Sequence, residues 1–167
     1  MKHTTHALIA VWTAVTFIAA CNKEAARPAV ATTPIDQLIQ AGKPPVETAP
    51  LTRGISPVMP TFTMSVANVS DMPVSLINGT VIFFDEQGKA LADTIQDAGY
   101  TDLSPIAPGA KIELQIMSSN EKAVSGKYLL KDIIYEKTNP QFKEYGALPM
   151  KWKNPGYEAA LKAEKAR

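Results

Sequence analysis

From Thr61 onward apolar residues recur at every second position, a period that belongs to strands with one buried face. Phe62, Met64 and Val66 alternate with Thr61, Thr63 and Ser65, and Ile112, Leu114 and Ile116 alternate with Lys111, Glu113 and Gln115. Between them, Val74 to Asp85 contains Val81-Ile82-Phe83-Phe84, apolar on both faces, which predicts a central strand. Asp85-Glu86-Gln87-Gly88 is a hairpin loop with glycine where a positive φ is wanted, and Lys89 to Ile95 returns as the next strand. Gln96 to Ala107 reads as irregular, and Pro108-Gly109 fits the middle of a type II turn. Lys127 to Glu136, with Leu129, Leu130, Ile133 and Ile134, closes the set. Strands parted by turn signals, with no long helix between them, predict a mainly β, antiparallel sandwich over residues 61–137.

Cys21 is the single cysteine, so no disulfide forms within the chain and packing must hold the fold. The order of Asn68-Val69-Ser70 and Pro73, Gly79 to Asp85 and Gly88, then Pro108-Gly109 before an alternating strand, resembles a small Ig-like sandwich. It is similar to the FxLYD-type and related domains of bacterial envelope lipoproteins, over about residues 60–137. The likeness rests on turn residues and implies a fold, not an activity.

The amino terminus points to an export signal over residues 1–20. Met1 to His6 is weakly basic, and Ala7 to Ala20 is an apolar run shorter than the ~20 residues a bilayer-spanning helix needs. Ile18-Ala19-Ala20-Cys21 resembles the lipobox of bacterial lipoproteins. That resemblance implies cleavage before Cys21, acyl chains of the palmitate kind on Cys21, and a membrane anchor. Several acyl chains on one residue give stable attachment, each buried CH₂ contributing ~0.8 kcal/mol. Asn22 is not the aspartate that marks inner-membrane retention in enteric bacteria, so the outer membrane is favoured, with the domain facing the periplasm.

Residues 21–60 hold seven prolines among alanine and threonine and predict an extended tether. If wholly extended at ~3.1 Å per residue, it places the domain on the order of 100 Å from the lipid. One helix interrupts it: Thr33 is an N-cap candidate, Pro34 a first-turn proline, Ile35, Leu38 and Ile39 share a face, and Gly42 ends it. Docking on the domain is the expectation, because two turns alone are marginal.

Residues 138–167 form an aromatic-rich tail. Half of the ten aromatics downstream of Cys21 lie between Tyr135 and Tyr157. Asn154-Pro155-Gly156 precedes good helix formers over Tyr157 to Arg167. Phe142, Tyr145, Trp152 and Tyr157 either cover an edge of the sandwich or form a partner contact, since Tyr and Trp are favoured anchors at interfaces.

Function classes fall away by subtraction. Both histidines, His3 and His6, lie in the signal, so the exported chain has none, and a lipidated Cys21 leaves no thiol. Ser-His and Cys-His mechanisms and zinc sites lose their usual groups, so no metal and no cofactor is expected. Without Lys2, basic and acidic residues balance at sixteen each, which gives no basic stripe for nucleic acid. Asp85-Glu86 and the series Asp93, Asp97, Asp102 are the carboxylates a hydrolase would use, but they sit mostly in turns. The expectation is a non-catalytic binding or scaffold module for another envelope protein. The alternatives are a small-ligand carrier or a small periplasmic hydrolase.

Overall fold

The structure, a computed structural model, describes residues 30–56, 58–138 and 147–167. In chain order come α1 (Ile35–Gln40), β1 (Val46–Thr48), β2 (Thr52–Arg53), β3 (Thr61–Asn68) and β4 (Val74–Phe84). A 3₁₀ turn (Ala92–Thr94), β5 (Gln96–Ile106), β6 (Lys111–Met117), β7 (Ser125–Thr138), β8 (Ala147–Lys153) and α2 (Tyr157–Lys165) follow. The strands make two antiparallel sheets. In the first, β3 pairs with β6 on one side and with β1 and then β2 on the other. In the second the order is β5-β4-β7-β8. The chain is a mainly β, two-sheet sandwich with a short C-terminal helix.

The period-two residues meet between the sheets. Phe62, Met64 and Val66 of β3 face Val74, Ile77, Val81 and Phe83 of β4 and Ile133 of β7, and all eight are fully or nearly fully buried. Phe62 and Phe83 pack ring against ring, with centroids 4.8 Å apart. The alternate residues of β4, Ile82 and Phe84, point the other way and join Leu129 and Tyr157 beneath α2. A strand apolar on both faces is central here because sheet covers one face and a helix the other. Burial of side chains this size is worth roughly 1.5–3 kcal/mol each, which is why two packed layers suffice without a disulfide.

The structure departs from the sequence expectation in three places. Gln96 to Ile106 is a full strand, whereas Lys89 to Ile95 contributes only the Phe84–Ala90 bridge and the 3₁₀ turn. Gly99 hides β5 in the sequence, yet a Cβ there would stand 2.1 Å from the Ile77 carbonyl oxygen, so close strand approach demands glycine. Second, the stretch expected as tether is built into the fold from Val30 onward: α1 docks through Ile35 and Leu38 as expected, but Val46 is also in the main core, and β1 and β2 extend the first sheet. Third, the cap of α1 is not Thr33. Pro34 occupies the N-cap position, and the Ile35 amide donates to the Asp71 carboxylate at 2.8 Å from another part of the chain.

The turn chemistry matches expectation. Gly42, Gly88 and Gly109 are the described residues with positive φ. Gly42 closes α1, its amide donating to Ile39 O while Lys43 N reaches Leu38 O. Asp85 Oδ1 accepts from the amides of Gln87 and Lys89 across the β4 hairpin. Ala110 N donates to Ala107 O around Pro108-Gly109.

Candidate interaction surface

The direction of the strands gives the sandwich two poles. β3 ends at Asn68 where β4 begins at Val74, β5 ends at Ile106 and the chain enters at Val30. The opposite pole gathers the β2–β3 connection, the β4 hairpin, the end of β6 at Met117 and the start of β7 at Ser125.

The entry pole is densely hydrogen-bonded. Asn68 is fully buried; its Nδ2 donates to Met72 O and Ile106 O, and its Oδ1 accepts from the Ser70 amide and hydroxyl. Backbone bonds from Val30 N to Gly109 O, Thr33 N to Val69 O and Val69 N to Pro45 O tie in the incoming chain. Asp71 caps α1, and Asp36 pairs with Lys137 of β7 at 2.8 Å. Among the described residues no buried side-chain polar atom lacks a partner.

The distal pole is arranged differently. The connection Gly54-Ile55-Ser56-Pro57-Val58-Met59-Pro60 carries no charge. Ile55 is 106% and Val58 78% exposed, so both stand out from the surface, and Met59 is partly exposed. Met117, paired with Thr61 beside them, is also open to water. The base is fixed, since Gly54 N donates to Thr61 O at 2.7 Å and Ser118 N to Pro60 O at 2.9 Å. Next to this apolar knob lies a shallow depression of about 440 Å³ whose lining includes Arg53, Asp85, Glu86, Glu121 and Lys122, charges of both signs. Exposed apolar side chains gathered at one end of a fold, close to charges of both signs, are the kind of surface a partner can cover. Residue type alone does not reveal it. Ile, Val and Met in a proline-bearing connection are as readily buried as exposed, and only the placement of β2 leaves them in water.

The residues expected to form a contact fare unequally. Cys21, with Ile18, Ala19 and Ala20, and likewise Phe142 and Tyr145, lie outside the described residues. Trp152 and Tyr157 are buried, so of their two expected roles they take the one that packs on the sandwich and not the partner contact. Trp152 on β8 joins the inter-sheet core opposite Ile133. Tyr157 is buried under α2, its hydroxyl 2.6 Å from Thr80 Oγ1, which also donates to Asp97 Oδ1. The N-cap position of α2 is Gly156, not Asn154; Asn154 holds the turn before it, accepting from Gly156 N at 3.0 Å while donating to Leu130 O.

Elsewhere the polar groups serve the fold. Burial would raise the Asp132 carboxyl, but hydrogen bonds from Asn78 and Lys151 outweigh it and hold the group below the usual carboxylate range. Hydrogen bonds from Lys127 and Arg167 lower Glu164 likewise, against its burial, and clamp the end of α2 to β7. Burial, reinforced by the negative charge of Asp132, pushes the Tyr128 phenol well above its ordinary value. Asp93 accepts from Asn120, Asp97 from Thr80, and Asp85 is spent on its turn, while the Asp102 side chain lies outside the described residues. Among the described residues no three Asp, Glu, His or Cys converge as a metal site. An open notch of about 540 Å³ lies between β1 and the β8–α2 junction, floored by Val46, Leu130 and Trp152. No described helix is long and apolar enough to cross a membrane.

No family model matches the chain, and no curated protein does. Among solved structures, a hypothetical protein from Peptoclostridium difficile 630 is similar with a TM-score of 0.55 and 13% identity, over 75% of this chain and 93% of that one. A DUF1425 family member from Shewanella sp. pv-4 aligns with a TM-score of 0.41 and 11% identity, over 52% of this chain and 76% of that one. The first likeness is one of fold.

Proposed function

We propose that the protein is a lipid-anchored, non-catalytic binding module of the cell envelope. It is held by acyl chains on Cys21 and faces the periplasm, with the outer membrane as the favoured site, and its sandwich belongs with the Ig-like, FxLYD-type domains. The observation that carries the binding role is the distal pole: its apolar side chains stand in water on the side of the fold opposite the incoming chain. An anchor at Cys21 then sits on the entry side, and the knob points away from it. Built-in residues from Val30 onward also shorten the tether. Nine peptide units separate Cys21 from Val30, a reach of at most about 30 Å rather than the ~100 Å of a wholly extended proline-rich segment. The carrier alternative would have to use the open notch beside Trp152.

The anchor is tested by labelling growing cells with a palmitate analogue and fractionating them. The wild-type chain takes the label and sediments with membranes, and Cys21→Ser does neither. An unlabelled wild-type chain found free in the soluble fraction sinks the anchor.

A further inference from the structure

We infer that two copies of the chain associate by pairing β6 with β6 of the second copy, antiparallel, about a twofold axis at Ile112. The pairing is separate from the distal pole and from the anchor. An open strand edge invites another strand, and folds usually guard their edges with short strands, proline, lysine or bulges. Among the described residues the β1–β2 edge is broken into pieces of three and two residues. β8 carries Pro149, Lys151 and Lys153, and β5 carries Pro105 and a shift of register against β4. β6 differs. Its seven residues include no proline and no glycine, its register against β3 is unbroken, and no described strand pairs with its other side. An open depression of about 400 Å³ lies between it and β5, lined in part by Leu114 and Ile116.

The backbone sets what this edge presents. Thr61 O accepts from Gly54 N on the β2 side, so Thr61 and Met117, which stand opposite each other, direct their backbone groups apart. By alternation Lys111, Glu113 and Gln115 also turn their N–H and C=O groups to the open edge. Met117 O already accepts there from Gln96 Nε2 at 2.9 Å. A row of donors and acceptors at this repeat is matched by another extended backbone.

Charge selects which backbone. Lys111, Glu113 and Gln115 are exposed, and outward residues must meet outward residues, which leaves few symmetric registers. A twofold at Lys111 sets lysine against lysine, and one at Glu113 sets glutamate against glutamate; both are unfavourable. One at Leu114 brings Lys111 to Met117, whose carbonyl is already taken. A twofold at Ile112 sets Lys111 against the second copy's Glu113 on both sides of the axis. The lysine that would guard this edge is thereby answered. Ile112 and Leu114 pack against the core in each copy, so the apolar face of the sheet continues across the axis.

The full chain, purified in a non-ionic detergent, is followed by sedimentation equilibrium. The wild-type chain is expected to self-associate to a dimer. Lys111→Glu and Glu113→Lys each turn both ion pairs into like-charge contacts and should weaken the dimer about tenfold, whereas the double exchange restores it. Both positions are exposed, so the fold tolerates the exchange. Register is read in intact cells by oxidising Ile112→Cys, Glu113→Cys, Leu114→Cys and Gln115→Cys, with the unsubstituted chain as the baseline. Across the axis the residue pair at 112 is a non-hydrogen-bonded one, with Cα atoms ~4.5 Å apart, within disulfide reach. A band of doubled mass is expected from position 112 and from none of the others. If Ile112→Cys fails to accumulate, the charge exchange decides. A monomeric wild-type chain, single reversals that associate like wild type, a double exchange that fails to restore the dimer, or a link at 113, 114 or 115 overturns the inference. So does a different protein that co-purifies with a chain unable to self-associate and is lost on Lys111→Glu, since the edge then takes a foreign strand. Each of these outcomes leaves the anchor and the distal pole standing.

Discussion

The two poles of the sandwich are made from the same strands and spend their residues in opposite ways. At the entry pole one side chain, Asn68, holds Ser70, Met72 and Ile106 together, and Asp71 reaches across to start α1. At the distal pole the connection between β2 and β3 keeps Ile55 and Val58 in water. The first arrangement gives up hydration of polar groups and regains it through internal hydrogen bonds. The second leaves apolar surface unburied, which folding alone does not favour. The contrast separates what holds the fold from what is available to a partner.

Four substitutions or conditions test that separation, beginning with the most disruptive. Asn68→Ala removes four hydrogen bonds from a buried site and strands the groups that made them. It is expected to cost about 3 kcal/mol in urea denaturation, and a loss below about 1 kcal/mol would mean the entry pole is not what secures the chain. Asp71→Ala strips the cap from α1 and should cost about 1 kcal/mol, with earlier proteolysis of residues 30–43 as the visible consequence.

Acid probes the helix clamp. The folded pKa values of Asp132 and Glu164 both lie below the ordinary carboxylate range. Their contribution is therefore complete above the unfolded values near ~4 and fades as pH falls through the depressed ones. The denaturation midpoint should decline from pH 5 towards pH 2, and Glu164→Gln should flatten part of that decline. The clamp is worth under ~1 kcal/mol because its Lys127 and Arg167 partners are solvent-exposed. Smallest of all, Ile55→Asp should change stability by no more than about 0.5 kcal/mol. If it cost as much as Asn68→Ala, the distinction between the poles would collapse.

How much of this was legible without coordinates follows from what each residue type encodes. Period-two strands such as β3 and β6, and turns needing a positive φ at Gly88 and Gly109, are written locally and were readable. So was the C-terminal helix, whose Asn154-Pro155-Gly156 start is a local signal. β5 escaped because Gly99 and Pro105 break the alternation, and the reason for Gly99 is the Ile77 backbone, which lies far away in sequence. β1 and β2 escaped because prolines dominate their surroundings, although Val46 and Thr52 only had to meet the edge of β3. For Trp152 and Tyr157 two readings stood open, because an aromatic ring suits a core and an interface equally, and burial selects the one in which they pack on the sandwich. Exposure at Ile55 depends on where a whole strand stops, and no neighbouring residue announces that.

The hydrogen bond from Val30 to Gly109 ties the first described residue to the entry pole, nine peptide units after Cys21. If Cys21 carries the lipid proposed above, the nine peptide units between it and Val30 reach at most about 30 Å, and the sandwich stays in a thin layer above the membrane. Any partner fixed in that layer meets the knob at an effective concentration on the order of millimolar. Under that proposal a contact of modest affinity is sufficient, and releasing the chain from its lipid would weaken it by dilution alone.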